Sequence, residues 1–132
     1  MRILIAEDDF ASRKFLNKFL SSYGECDITI DGIEAVDAFE MALDEEKPYD
    51  LVCLDIMMPK LDGIKTLKAI RELEEARNIG KGSKVKIIMT TALMDIKNVY
   101  GSFESGCEAY ATKPIDTDKL LEVMKKLGFS VG

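Results

Sequence analysis

The stretch Leu51-Val52-Cys53-Leu54-Asp55-Ile56-Met57-Met58-Pro59 places a carboxylate where an apolar run opens into a loop. A short continuous apolar run reads as a buried strand. A charge at its mouth is poorly placed for packing and well placed for chemistry. The arrangement recurs along the chain. Ile3-Leu4-Ile5-Ala6 runs into Glu7-Asp8-Asp9, Val85 to Met89 into Thr90-Thr91, and Ala109-Tyr110-Ala111-Thr112 into Lys113-Pro114. Open parallel sheets bind ligands at the carboxyl ends of their strands, where the strand order reverses. Acids, a hydroxyl and an ammonium at four strand ends make a candidate site for a divalent cation and a phosphoryl group.

Working outward, apolar runs alternate five times with segments of helical period, which implies an α/β domain with helices on both faces of a parallel sheet. Strands are expected at about 2–6, 26–30, 50–54, 85–90 and 108–112. The first helix, about 10–22, carries Phe15, Leu16, Phe19 and Leu20 on one face. Asp31 and Glu34 form a capping-box pattern for the second, with Val36, Phe39 and Leu43 inward and Lys47-Pro48 as its stop. The third starts near Gly63 and carries Ile64, Leu67 and Ile70. Residues 74–84 are polar with two glycines and read as a loop. A fourth helix, about 94–104, shows an Ile96, Val99, Tyr100, Phe103 stripe weakened by Gly101 and Ser102. Asp116 caps the fifth, with Leu120, Leu121, Met124 and Leu127 inward. The whole, 1–132, reads as one domain with its core at about 2–127.

Composition narrows the function. The chain has 132 residues, 24 acidic and 18 basic, a net charge of −6. That speaks against direct nucleic-acid binding, which needs a cationic patch to release counterions; the lysines between Lys81 and Lys86 read as a solvated loop. No apolar run approaches the roughly 20 residues that span a bilayer. The chain enters a strand directly at Met1-Arg2-Ile3, so no signal peptide is expected. Three cysteines lack metal-type spacing. Cys26 and Cys53 are expected as buried thiols and Cys107, after Gly106, as exposed; the location implied is cytoplasmic. There is no histidine, which excludes Ser-His-Asp catalysis, histidine metal ligands and a phosphohistidine within this chain.

The chemistry of the strand ends follows from charge. Converging carboxylates repel, and without a cation one is pushed toward protonation. An oxygen-only ligand set favours Mg²⁺, or Mn²⁺. An Asp carboxylate can attack phosphorus to give an aspartyl phosphate, while a Lys takes a share of the phosphoryl charge. A hydroxyl such as that of Thr91 can donate to a phosphoryl oxygen.

Asp55-Ile56-Met57-Met58-Pro59-Lys60-Leu61-Asp62-Gly63 resembles the phosphoacceptor loop of two-component response regulator receiver domains. The acids after strand one, Thr91-Ala92 after strand four and Lys113-Pro114 after strand five match the same family in order and spacing. The resemblance implies a doubly wound, flavodoxin-like sheet of five strands in the order 2-1-3-4-5, and a stand-alone, chemotaxis-regulator-like receiver. It implies Asp55 as phosphoacceptor, Asp8 as a direct metal ligand, Glu7 binding metal mainly through water, and Met57 giving its backbone carbonyl to the metal. The register rests on Arg13, five positions after Asp8. Thr91 and Lys113 would contact the phosphoryl group, Thr91 and Tyr110 would act as the switch pair, and Lys113-Pro114 would be cis. The implied partners are a histidine kinase or histidine phosphotransfer protein as donor, and a downstream protein target on the face of helix four, strand five and helix five. No enzymatic turnover is expected beyond self-catalysed phosphoryl uptake and autodephosphorylation.

Two other readings stand beside it. A Mg²⁺-dependent phosphatase of the haloacid dehalogenase type also uses an Asp after a strand, but carries a second Asp two residues on, where this chain has Met57. A binding module independent of phosphorylation would not need the acid, Thr and Lys set. Asp9 and Asp62 read as helix caps rather than ligands, and Thr90 as pointing away from Thr91 by strand alternation.

Overall fold

Five parallel strands lie in the order β2-β1-β3-β4-β5, alternating with five helices. The computed structural model describes residues 1–92 and 99–131. The elements are β1 (Arg2–Ala6), α1 (Phe10–Leu20), β2 (Glu25–Thr29), α2 (Gly32–Asp44), β3 (Leu51–Asp55), α3 (Gly63–Ala76), β4 (Lys86–Ala92), α4 (Val99–Glu104), β5 (Ala109–Lys113) and α5 (Thr117–Lys126), with a 3-10 turn at Lys81–Ser83. This is the expected flavodoxin-like α/β fold.

Every strand of such a sheet points its carboxyl end the same way, so the residues at the strand ends gather along one edge. The central strands are covered on both faces, which is why β1 and β3 are nearly uniformly apolar rather than alternating. Alternation still divides them between two cores. Leu4, Ala6, Val52, Leu54, Ile87 and Met89 pack toward α2 and α3. Ile3, Ile5, Leu51, Cys53 and Ile88 pack toward α1 and α5. Asp9, Asp31, Asp62 and Asp116 cap α1, α2, α3 and α5, each accepting from backbone N–H groups of the first turn. Such caps contribute about 0.5–2 kcal/mol each.

Several expectations need correction. β2 to β5 sit about one residue from the expected bounds, because register with the neighbouring strand, not apolarity, sets the ends: β2 starts at Glu25 opposite Arg2, and β3 runs through Asp55 opposite Thr90. α1 stops at Leu20, and its Phe15 is exposed. The inner face of α2 is Ala35, Phe39 and Ala42, with Val36 and Leu43 half-buried, since small residues let the helix sit close to the sheet. In α4, Val99 and Ser102 are buried while Tyr100 and Phe103 are exposed; 94–98, with Ile96, lie outside the described residues. Cys107 is buried and Cys26 only half-buried.

The largest correction concerns 74–84. Glu74, Glu75 and Ala76 belong to α3, and Glu74 is 1% exposed. Its burial is possible because Arg71 and a backbone amide satisfy it. Arg71 Nη1 pairs with Glu74 Oε1 at 2.6 Å and donates to the Val85 carbonyl at 3.0 Å. Its Nε and Nη2 donate to the Gly106 carbonyl, and Nη2 also pairs with Glu108 Oε1 at 2.7 Å. The amides of Val85 and Ile87 donate to Glu74 Oε2 and Glu108 Oε2. All five guanidinium donors thus tie α3, the start of β4 and the approach to β5 together at the end of the sheet remote from Asp55.

Removing the guanidinium leaves Glu74 buried without its cation, a loss of about 3–5 kcal/mol for such a pair. Arg71→Ala should therefore unfold at markedly lower urea concentration than wild type. An unchanged midpoint would show that the network contributes nothing to stability.

Candidate functional site

β1 and β3 are neighbours in the centre of the sheet, so the acids that follow them meet. Glu7 and Asp55 are 0% and 4% exposed, and Asp8 is exposed. Oxygens of all three lie within 4.8 Å of one another. Lys113, at the end of β5, reaches across: its Nζ is 2.6 Å from Glu7 Oε1 and 3.3 Å from Asp55 Oδ2. The first contact is a close ion pair without the angular geometry of a hydrogen bond. Glu7 Oε2 accepts from the Asp9 amide at 3.1 Å, and Arg13 Nη1 donates to the carbonyls of Glu7 and Asp8, each at 3.1 Å. Arg13 thereby braces the acidic turn.

Three carboxylates face one ammonium, and the protonation equilibria register the imbalance. Burial, then the hydrogen bond and negative charge of Glu7, push the Asp55 carboxyl up to about 8, against the opposing pull of Lys113 and the Met57 amide. Burial alone would lower Lys113, but its close contact with Glu7 and the charges of Asp55 and Glu7 outweigh it, and its pKa is raised. A divalent cation would neutralise the remaining excess. The donors are all oxygens, and bonds of about 2.0–2.1 Å suit Mg²⁺ at a cluster of this size. The residues present fit that ion.

The loop after Asp55 is held from two sides. A Cβ at Gly63 would run into the Asp55 carbonyl, so only glycine lets α3 start against the strand end. A Cβ at Gly32 would run into the Leu61 carbonyl and Thr66 Oγ1, so α2 also presses on this loop. Lys60 takes a left-handed φ of 66° and pairs with buried Asp31 at 3.4 Å. The sequence showed Asp31 as a helix cap but not its pairing with Lys60, nor the close approach of Gly32 to Leu61, because each joins residues 29 apart and no local pattern announces it. Met57 is largely exposed; its amide donates to Asp55 Oδ1 at 3.3 Å.

Thr91 is buried, and its hydroxyl donates to the Ala92 carbonyl at 3.1 Å rather than to the acids. Tyr110 is 39% exposed and meets the Phe103 ring edge-on at 6.2 Å between centroids. Lys113-Pro114 is cis. Glu7, Asp8, Asp55 and Lys113 are thus brought together, while Thr91 and Tyr110 stand off. Leu93, two past Thr91, lies outside the described residues. No helix among the described residues is long and apolar enough to cross a membrane.

The sequence matches the family described as "Response regulator receiver domain" over residues 3–125. It is similar to "Hybrid signal transduction histidine kinase I" of Dictyostelium discoideum, 35% identical over 93% of this chain and 7% of that protein. It is 39% identical to "Probable transcriptional regulator ycf27" of Guillardia theta over 90% of this chain and 42% of that protein. The chain therefore spans less than half the length of either relative. Among solved structures it is similar to CheY in the CheX-CheY-BeF3-Mg+2 complex from Borrelia burgdorferi (TM-score 0.82, 28% identity, 98% of this chain and 90% of that one). It is also similar to the complex of the Saccharomyces cerevisiae histidine phosphotransfer protein Ypd1 with the Ssk1 receiver domain (TM-score 0.79, 27% identity, 95% and 87%).

The raised Asp55 pKa has a definite sign for stability. A carboxyl held at about 8 in the fold against 3.8 otherwise keeps its proton in the folded state while the unfolded chain loses it. Its contribution is complete below pH 3.8 and is lost as pH rises through about 8. Without metal, Asp55→Asn should therefore gain in melting temperature over wild type as pH rises across that window. Mg²⁺ should stabilise wild type by mass action and Asp8→Ala much less. Equal Asn-minus-wild-type differences at pH 5 and pH 9 would count against the acid cluster as a source of strain.

Proposed function

Because the chain belongs to the response regulator receiver family, we propose that it is a phosphorylation-driven signalling switch with Asp55 as phosphoryl acceptor. The observation that carries this is the Asp55 carboxylate, buried at a strand end, joined to Glu7 and Asp8 within 4.8 Å and contacted by Lys113 at 3.3 Å. A bound Mg²⁺ or Mn²⁺ would supply positive charge for the phosphoryl oxygens and keep Asp55 ionised. Glu7, Asp8, Asp55 and the Met57 carbonyl are the groups that would hold it.

The chain's own residues do the rest. The chain has no histidine, so the phosphoryl group comes from a partner histidine kinase or phosphotransfer protein. The association of Ypd1 with a similar receiver supports a donor of that class. An Asp55 oxygen attacks phosphorus, the donor's P–N bond breaks and its imidazole leaves, giving an aspartyl phosphate. Lys113, already between Glu7 and Asp55, takes charge from the new group. Thr91 exchanges its bond to the Ala92 carbonyl for a phosphoryl oxygen, and Tyr110 turns from its edge contact with Phe103 into the space released. The face of α4, β5 and α5 then presents a different surface to a downstream protein. Water attack on phosphorus later restores the carboxylate.

Acetyl phosphate with Mg²⁺ should add one phosphoryl mass to wild type and none to Asp55→Asn; full labelling of that variant would place the acceptor elsewhere.

Met57, two past Asp55, offers the incoming water no polar group. Met57→Asn should shorten the life of the phosphorylated form by a factor of about 3–10, the effect of roughly one added hydrogen bond. A decay identical to wild type would show that this side chain does not govern water.

A further inference from the structure

Among the described residues, a buried hydroxyl paired across the sheet with Asp55 has no partner. Thr90 is 1% exposed, and among the described residues its Oγ1 makes no hydrogen bond. Sheet register places it at the centre of the site. Thr90 is paired with Asp55 on β3 and with Ala111 on β5, and Ala92 with Lys113. Paired residues of parallel strands project to the same face. That face is the one packed against α1 and α5, since Cys53, Ile88 and Ala111 all belong to that core. Thr91 projects to the other.

Lys113 must cross β4 to reach Asp55 on β3 and Glu7 beyond it. The side chains β4 offers at the crossing are Thr90 and Ala92, both short enough for the lysine stem to lie over them. Packing gives no reason for a hydroxyl here. Valine has the same shape, and a buried hydroxyl without a partner destabilises a fold. Local rules broken at this kind of position mark function.

An ammonium has three N–H donors. Glu7 Oε1 and Asp55 Oδ2 lie 2.6 and 3.3 Å from its nitrogen. The same two carboxylates belong to the acid cluster that fits a divalent cation, so a bound cation competes with Lys113 for their charge. We propose that Thr90 is a positioning residue for Lys113: its hydroxyl oxygen accepts from the ammonium when the carboxylates turn to the cation, and so keeps the ammonium aimed at the phosphoryl group. The proposal rests on the reading of Asp55 as acceptor. Thr90 itself touches neither the cation nor phosphorus.

The test compares wild type, Thr90→Val and Thr90→Ser. With Mg²⁺ alone, nitrogen-detected NMR follows exchange of the Lys113 ammonium protons with water. Exchange should be at least about fivefold faster in Thr90→Val, the loss of roughly one hydrogen bond, and near wild type in Thr90→Ser. Without Mg²⁺, Thr90→Val should melt at or above the wild-type temperature. The rate of labelling by acetyl phosphate should fall by a similar factor in Thr90→Val and be kept in Thr90→Ser. Wild-type exchange in Thr90→Val overturns the proposal, as does failure of Thr90→Ser to restore it. A Thr90→Val that melts below wild type also overturns it, because the hydroxyl would then already be partnered. Absence of labelling in wild type would instead refute Asp55 as acceptor, and the ammonium exchange would still decide the role of Thr90.

Discussion

Repulsion among Glu7, Asp8 and Asp55 is the constraint around which the rest of the molecule is arranged. At the 4.8 Å limit of their separation, two unit charges in an effective dielectric of 20 repel by about 3–4 kcal/mol. A domain's total stability is about 5–15 kcal/mol, so the conflict is a large fraction of it. Topology creates the conflict, because β1 and β3 are adjacent and both end in acid. One lysine relieves it in part, and a proton on Asp55 relieves more. A protonated carboxyl is a poor nucleophile. The neutralising agent that makes the fold comfortable without disabling Asp55 is a cation, which ties stability and reactivity to one ligand.

Such strain has to be held in place. Gly63 and Gly32 let α3 and α2 close on the loop after Asp55 from two directions, and the Asp31–Lys60 pair fixes the left-handed turn between them. The opposite end of the sheet is built differently. There Arg71 uses every donor, and Glu74 and Glu108 each also accept a backbone amide. Among the described residues, one end of the sheet leaves no donor of Arg71 unused, while the other keeps an unbalanced charge and a Thr90 hydroxyl without a partner. Buried polar groups rigidify only when satisfied, so reactivity and rigidity are separated along the strands.

The sequence revealed features whose cause is local. A carboxylate after an apolar run, an Asp before a helix, and a Lys-Pro pair at a strand end carry their meaning within a few residues, and Asp55, the four helix caps and Lys113 were legible for that reason. Glu74 was not. In sequence it is one more acid in a polar stretch, and only the arrival of Arg71 and the Val85 amide makes it a buried one. Cys107 looked exposed because Gly106 marks a turn, yet α3 and α4 pack around that turn. Phe15 and Val36 failed in the other direction: helical period gives a face but not how deeply a neighbour covers each residue. Thr90 was read correctly but not far enough. Alternation correctly set it apart from Thr91, but register shows that the face away from Thr91 is the one carrying Asp55 and Lys113.

That division of faces bears on how a phosphoryl group could move the surface. A ligand shifts an equilibrium only by its difference in affinity for the two states. On the proposed reading, Thr91 gives up a neutral hydrogen bond to the Ala92 carbonyl for one to an anionic oxygen, a bond roughly twice as strong. The edge contact of Tyr110 with Phe103, of a type that contributes about 0.5–1.5 kcal/mol, is lost in the same step, and burial of a Tyr110 ring that is 39% exposed offsets it. The net bias is then on the order of 1–2 kcal/mol, a shift in population of roughly 5–30-fold. Complete conversion from 1:99 to 99:1 needs about 5.5 kcal/mol. On that reading phosphorylation alone would tilt the switch part of the way, and the remainder would fall to a partner that binds the altered face, which would make target binding and acceptor chemistry thermodynamically reciprocal.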